Sequence, residues 1–327
     1  MKKLYHSFLL LLLILLLVAC GGDTTEVEEP EENADANEAA EATDVSDYPV
    51  VLTDAVGNEI TLDEEPERIV SLIPSNTEIT FALGKGDHLV GVSEHDNYPE
   101  EVADIEKVGG MELNVELIIG LEPDIVLAHE LGLSSAQEAF EQMEDAGIDV
   151  FVVPDAQDIA TTYDTIETIG QVIGAEEEAE QVIAEMEAQF AEIKELTSSI
   201  PEEERKTVFF ENSPAPEIYT AGQNTFIHEL LEIIHADNAA GDQDGWFAMD
   251  PEAIIELNPE VIITSYGAYV DDPKEEVTSR SGFDVVDAVE NDRIYDIHAD
   301  LITRSGPRLA DGARALAEAV YPELFDE

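Results

Sequence analysis

The amino-acid sequence predicts an α/β protein of two lobes, each a mostly parallel sheet flanked by helices, joined by a single long helix with a cleft between them. Three observations carry this. From Arg68 onward, short β-branched runs that are apolar throughout alternate with helical periods. A fourteen-residue unit occurs once in each half of the chain. Between the halves, residues 176–196 contain no Gly or Pro and many strong helix formers.

In chain order, Ile69 to Leu72 reads as a strand and Asn76 to Leu83 as a helix ended by Gly84. Leu89 to Val92 is a strand and Val115 to Leu121 a short helix. Pro123-Asp124 leads into the strand Ile125 to Ala128, and Ser134 to Ala146 is a helix closed by Gly147. Val150 to Val153 is a further strand. Strands without polar alternation, separated by helices, indicate a parallel sheet covered on both faces. The second half repeats the style, with strands near Thr207 to Phe210, Val261 to Thr264 and Ile294 to Ile297, and a closing helix from about Pro307 to Val320. The stretch Ile159 to Ser199 is broken once near Gly174, and its second part, Glu176 to Leu196, reads as one helix spanning the lobes. A flexible linker would be rich in Gly or Ser instead.

The repeated unit reads NVELIIGLEPDIVL at 114–127 and DPEAIIELNPEVII at 250–263. Each copy places Asn114 or Asp250 at a helix N-cap, Glu116 or Glu252 in the first turn, and Pro123 or Pro259 before a buried strand. Capping explains each copy locally. One copy per lobe implies two lobes of like construction, with Glu116 and Glu252 in equivalent places.

The N-terminus carries Lys2 and Lys3, an apolar run from Phe8 to Ala19, and then Cys20 with two glycines. This is the layout of an export signal, too short for a bilayer core that needs about 20 apolar residues. Leu17-Val18-Ala19-Cys20 resembles the bacterial lipobox, which implies lipid attachment at Cys20 after cleavage. Cys20 is the sole cysteine, so neither a disulfide framework nor a thiolate metal cluster is available. Residues 21–48 hold 11 acidic residues and no basic ones. High charge with little to bury predicts a disordered tether. The expected divisions are 1–20 signal peptide, 21–48 acidic tether, 49–158 N-terminal lobe, 159–200 bridging helices and 201–327 C-terminal lobe.

Without signal and tether the chain still carries 65 acidic against 12 basic residues. That excludes nucleic acid as a partner, because phosphate binding runs on Lys and Arg. It also disfavours a body lying on anionic lipid, leaving the anchor as the only membrane contact. So acidic a surface fits a solubility device under strong salt screening, and a saline or alkaline habitat is expected.

ERIVSLIPSNTEITFALG (67–84), VGVSEHDNYPEEV (90–102), EPDIVLA (122–128) and RSGPRLADGARALAEAV (304–320) carry a resemblance over most of the body. The chain resembles the helix-hinged (class III) solute-binding lipoproteins of ABC importers for cobalamin, ferric siderophores and haem. Within that family it is most similar to the cobalamin binders, through GVSEHDNYPEE, NVELIIGLEPDIVLA and the Trp246 region.

The resemblance implies a ligand cleft between the lobes and one docking carboxylate per lobe, Glu116 and Glu252, for arginines of a permease homodimer with its ATPase. Two like lobes facing a two-fold transporter suit equivalent contacts. As a dipole complement alone, such a glutamate contributes about 0.3–1 kcal/mol. Loops at strand ends line clefts of this kind, giving Ser75, Asn76, His95 and His129 from the first lobe and Trp246, Asp300 and Arg304 from the second as ligand candidates. Trp246, the sole tryptophan, matches an aromatic that packs on the corrin, and Asp300 also matches the cobalamin pattern. His95 stands where those proteins have tyrosine and His129 where they have tryptophan. The two histidines either approach a metal centre of the ligand or hydrogen-bond its periphery.

Enzyme signatures are missing. HELLE at 228–232 lacks the second histidine of a zinc protease helix, and no nucleophile elbow, P-loop or GxGxxG occurs. GDQDG at 241–245 lacks the bidentate Glu of a calcium loop. The expectation is a monomeric, extracytoplasmic binding protein, not an enzyme, with no cofactor and no resident metal. Its ligand is a corrinoid, alternatively a ferric siderophore or haem, and remotely a transition metal. The bridging helix predicts only modest closure.

Overall fold

The structure, a computed structural model, describes residues 48–325. The export signal, Cys20 and nearly all of the acidic tether lie outside the described residues. An antiparallel hairpin, β1 (Val50–Thr53) and β2 (Glu59–Leu62), precedes the first lobe. That lobe runs β3 (Ile69–Ser71), α1 (Pro74–Ala82), β4 (Leu89–Val92), β5 (Glu106–Lys107), α2 (Val115–Gly120), β6 (Ile125–His129), α3 (Leu133–Asp145) and β7 (Asp149–Val153). Its five strands are all parallel in the order β5-β4-β3-β6-β7. The central strands are buried on both faces, which is why they read as continuous apolar runs. Helix α1 begins at Pro74, two residues earlier than its periodicity predicts, because proline's fixed φ suits a first turn.

Two helices follow, α4 (Ile159–Ile173) and α5 (Glu176–Thr197). Asp158 caps α4 by accepting from the Thr161 N–H at 2.7 Å. The Ile159 N–H donates to Glu229 of the second lobe at 2.8 Å, so α4 starts at the junction between lobes. It packs on α1 and β7 and stops at Gly174, whose φ of 64° is the left-handed cap that reverses the chain. At 22 residues, α5 is about 33 Å long. It returns along α4 and reaches the second lobe, burying Met186, Phe190 and Ile193. Each such side chain contributes about 1.5–3 kcal/mol on leaving water. One continuous apolar core runs through both lobes and these helices, taking in Ile69 and Leu127 on one side and Val208 and Ile263 on the other.

The second lobe comprises β8 (Thr207–Glu211), β9 (Ile218–Ala221), α6 (Phe226–Ile233), β10 (Asp237–Asn238), β11 (Trp246–Met249), α7 (Pro251–Leu257), β12 (Val261–Thr264), α8 (Pro273–Thr278), α9 (Asp287–Glu290), β13 (Ile294–Asp296), α10 (Ala299–Ile302) and α11 (Leu309–Val320). Four strands form a parallel sheet in the order β10-β8-β12-β13, and β9 pairs antiparallel with β11. The sequence repeat is also a structural one. Glu122 and Asn258, at matching places before the prolines, both take left-handed backbone, with φ of 48° and 46°. The next acids match as well. Asp124 accepts the N–H groups of Glu67 and Arg68 just before β3, and Glu260 accepts that of Thr207 at the start of β8.

Candidate functional site: a cleft between the lobes

A cavity of about 510 Å³ opens between the lobes. From the first lobe it is lined by Ile73, Pro74 and Ser75 at the start of α1, His129 and Leu131 after β6, and Asp155, Ala156 and Gln157 after β7. From the second come Phe226, Trp246, Asp300, Thr303, Arg304 and Ser305. In the first sheet the strand order reverses between β3 and β6, so Ser75 and His129 stand at the crevice where α/β sheets take ligands.

The two walls differ in chemistry. Trp246 is 40% exposed and presents its ring to the cavity, propped edge-on against buried Phe210 at 6.0 Å. Phe226 adjoins it at the first turn of α6, where the Thr225 hydroxyl caps the helix. Opposite lies a small, polar wall. His129 is buried, and its Nδ1 accepts the Leu131 N–H at 3.2 Å. That bond leaves the ring proton on Nε2, which lies 3.6 Å from an Asp155 oxygen. Burial pushes the His129 pKa down, against opposing pulls from Asp155 and Glu130, and so favours the neutral ring. Burial likewise pushes the Asp155 carboxyl up, while His129 pulls it down.

Beside the cavity the lobes are clasped. Glu78, on α1 and 4% exposed, accepts from Arg304 and takes Arg308 in a bidentate pair at 2.8 and 2.6 Å. Arg304 also donates to Asp300 at 2.7 Å and to Asn97 at 3.1 Å, and the Asn97 amide donates to Asp300 at 2.8 Å. Arg308 stacks over Tyr98, 3.9 Å from the ring centre.

Of the ligand candidates, Ser75, His129, Trp246, Asp300 and Arg304 come together around the cavity. Asn76 and His95 are placed elsewhere. The Asn76 amide donates to the Ala128 carbonyl at 3.0 Å and so fixes the strand end that carries His129. His95 is exposed, and its ring lies against Gly110. It follows β4, which sits on the far side of β3 from the crevice. Glu116 and Glu252 are both exposed in the first turns of α2 and α7. Sequence reasoning passed over Asp155 and Gln157, although β7 neighbours β6 and the strand-end rule reaches them. It also passed over Glu78. The signal was available there: α1 is buried along most of its length, and a lone acid in such a helix requires a cationic partner.

A family model described as periplasmic binding protein matches residues 69–301. The chain belongs to the periplasmic binding protein family. Among the relatives of the binding protein is an uncharacterised substrate-binding lipoprotein of an ABC transporter from Bacillus subtilis. It is 48% identical over 280 residues, which cover 86% of this chain and 88% of that one. A cobalamin-binding protein of Halobacterium salinarum is 32% identical over 247 residues, 73% of this chain and 63% of that protein. Among solved structures, a possible iron-binding, periplasmic solute-binding protein of Staphylococcus epidermidis superposes with a TM-score of 0.71 at 39% identity. That match covers 79% of this chain and all of the other, 100%. The binding protein is thus a substrate-binding protein of the ABC-transporter class, and the kinship is with transport proteins rather than enzymes. Its α/β fold of two lobes is that of the family.

Proposed function

We propose that the binding protein is the lipid-anchored, extracytoplasmic capture subunit of an ABC importer and that its cargo is a corrinoid of the cobalamin type. The observation that carries this reading is the pairing of walls in the cleft: an exposed aromatic face at Trp246 against a polar wall, with no cation left unpaired among the lining residues. A corrin is a broad ring with an apolar face and a rim of amides, so it asks for stacking and hydrogen bonds rather than for countercharges. The likeness to the cobalamin-binding protein of Halobacterium salinarum supports the same cargo. His129 serves that rim as an Nε2–H donor. Ligation of a metal through Nε2 would move its proton to Nδ1, against the Leu131 N–H that already donates there.

A second reading, an iron-bearing ligand such as a ferric siderophore or haem, draws support from the Staphylococcus epidermidis likeness. The paired state of Arg304 speaks for the corrinoid. Among the described residues no group of three or more His, Cys, Asp or Glu converges as a metal site, so the remote transition-metal reading gains nothing.

In this account Cys20 holds the protein at the outer membrane face. Glu116 and Glu252 sit on the matching helices α2 and α7, and they carry one contact each to a permease homodimer served by its ATPase. Carboxylate–arginine pairs suit register-setting contacts of that kind. The test is uptake of labelled cyanocobalamin by cells carrying the wild type or the double variant Glu116→Arg/Glu252→Arg. The double variant should lose uptake while the purified protein keeps its affinity. Uptake at the wild-type level, or a parallel loss of affinity, contradicts the docking role.

A further inference from the structure

We propose that Glu78 is a specificity residue: it masks Arg304 and Arg308 and thereby closes the cleft to ligands that carry carboxylates. The inference rests on the cleft being the ligand site. Arg304 is the only Lys or Arg among the cavity's lining residues. Its guanidinium is committed on one side to Glu78 and on the other to Asp300, with Asn97 held between them. Arg308, four residues on at the end of the loop between α10 and α11, spans both Glu78 oxygens and stacks on Tyr98. The cluster therefore sets Glu78 and Asp300 against two guanidinium groups, Asp155 adds a further carboxylate to the cavity lining, and the His129 ring beside it favours the neutral form. An anionic ligand meets a lining in which the one guanidinium is already paired and two carboxylates stand beside it. A ligand rimmed by amides avoids that repulsion and still finds hydrogen-bonding partners.

The geometry makes Glu78 the pivotal member. It is almost fully buried, and one of its oxygens receives both arginines. Without its charge, two close guanidinium groups would share a poorly solvated wall with only Asp300 to offset them. A carboxylate is the countercharge such a pair recruits. Glu78 does not line the cavity, so its effect on ligand choice acts through the arginines.

The experiment titrates the full-length protein in detergent with haemin, with haemin dimethyl ester and with cyanocobalamin. The first two share a ring and differ only in free or esterified carboxylates. Glu78→Gln should gain at least about tenfold in haemin affinity, the factor that corresponds to roughly 1.4 kcal/mol. Its affinity for the dimethyl ester should stay within about threefold of wild type, a change under roughly 0.7 kcal/mol. Adding Arg304→Gln should erase the gain. Unchanged haemin affinity in Glu78→Gln, or an equal rise for haemin and its ester, overturns the proposal. Should Glu78→Gln fail to fold, Asp300→Asn takes its place: haemin should gain over the ester by a smaller factor, and no gain overturns the proposal. Cyanocobalamin separates this inference from the reading beneath it. A wild type that ignores cyanocobalamin while Glu78→Gln gains haemin would sink the corrinoid cargo and leave the masking role in place.

Discussion

At the carboxyl ends of their two central strands the lobes have equivalent crevices, one open and one filled. In the first lobe, β3 and β6 end at Ser71 and His129, and the space above them is the cavity between the lobes. In the second, β8 and β12 end at Glu211 and Thr264, side by side. There the fully buried Glu211 is held by Arg280 at 2.7 and 2.8 Å and accepts from the Tyr266 hydroxyl at 2.9 Å, while Arg280 also reaches Glu276. One scaffold, repeated down to the sign of φ at Glu122 and Asn258, thus leaves an open crevice in one copy and builds an internal brace in the other. The second lobe takes its share of the cleft from other segments, the start of β11, the start of α6 and the loop after α10.

The comparison breaks most readily at the brace. Arg280→Ala strands a buried carboxylate and should lower stability by about 3–5 kcal/mol. Ser75→Ala, at the open crevice, should cost less than about 1 kcal/mol and should tell on ligand affinity instead. Denaturant unfolding of both variants checks this, and equal losses would mean the two crevices do not differ in role.

A smaller effect sharpens the open side. Because burial depresses the His129 pKa in the folded protein, the unfolded chain takes up that proton first, near its ordinary value of about 6.5. Stability from His129 is therefore complete above that pH and is lost as pH falls below it. The wild type's margin over His129→Gln should shrink between about pH 7 and 5, with the ring still neutral by NMR just below its ordinary pKa. A margin that grows on acidification would contradict the buried, neutral ring.

Much of this was legible in the sequence because it is local. Apolar runs mark β3, β4, β6, β7, β8 and β12, and the Gly-free stretch marks α5, while Gly174 announces the break before it. Strand-end logic pointed to Ser75 and His129, the family resemblance pointed to Trp246 and Asp300, and these four line the cavity together with Arg304. The clasp was not legible as pairs, since Arg304 and Arg308 lie 226 and 230 residues from Glu78 and nothing local fixes their meeting. Asn76 and His95 were misjudged as cavity neighbours for a topological reason. The helix turns Asn76 inward to the Ala128 carbonyl, and the strand order puts β4 away from the crevice. The short pairings of β1 with β2 and of β9 with β11 also went unread, because these strands are partly exposed and lack the fully buried character that marks the parallel sheets.

The central claim is that the aromatic and polar walls close on a corrinoid. A titration of the full-length protein in detergent with cyanocobalamin, followed by Trp246 fluorescence and repeated by calorimetry, tests it most directly. The account predicts one-to-one binding at sub-micromolar strength, on the order of −8 kcal/mol or better, with quenching of the single tryptophan. Absence of binding, or binding that leaves Trp246 unchanged, would contradict it.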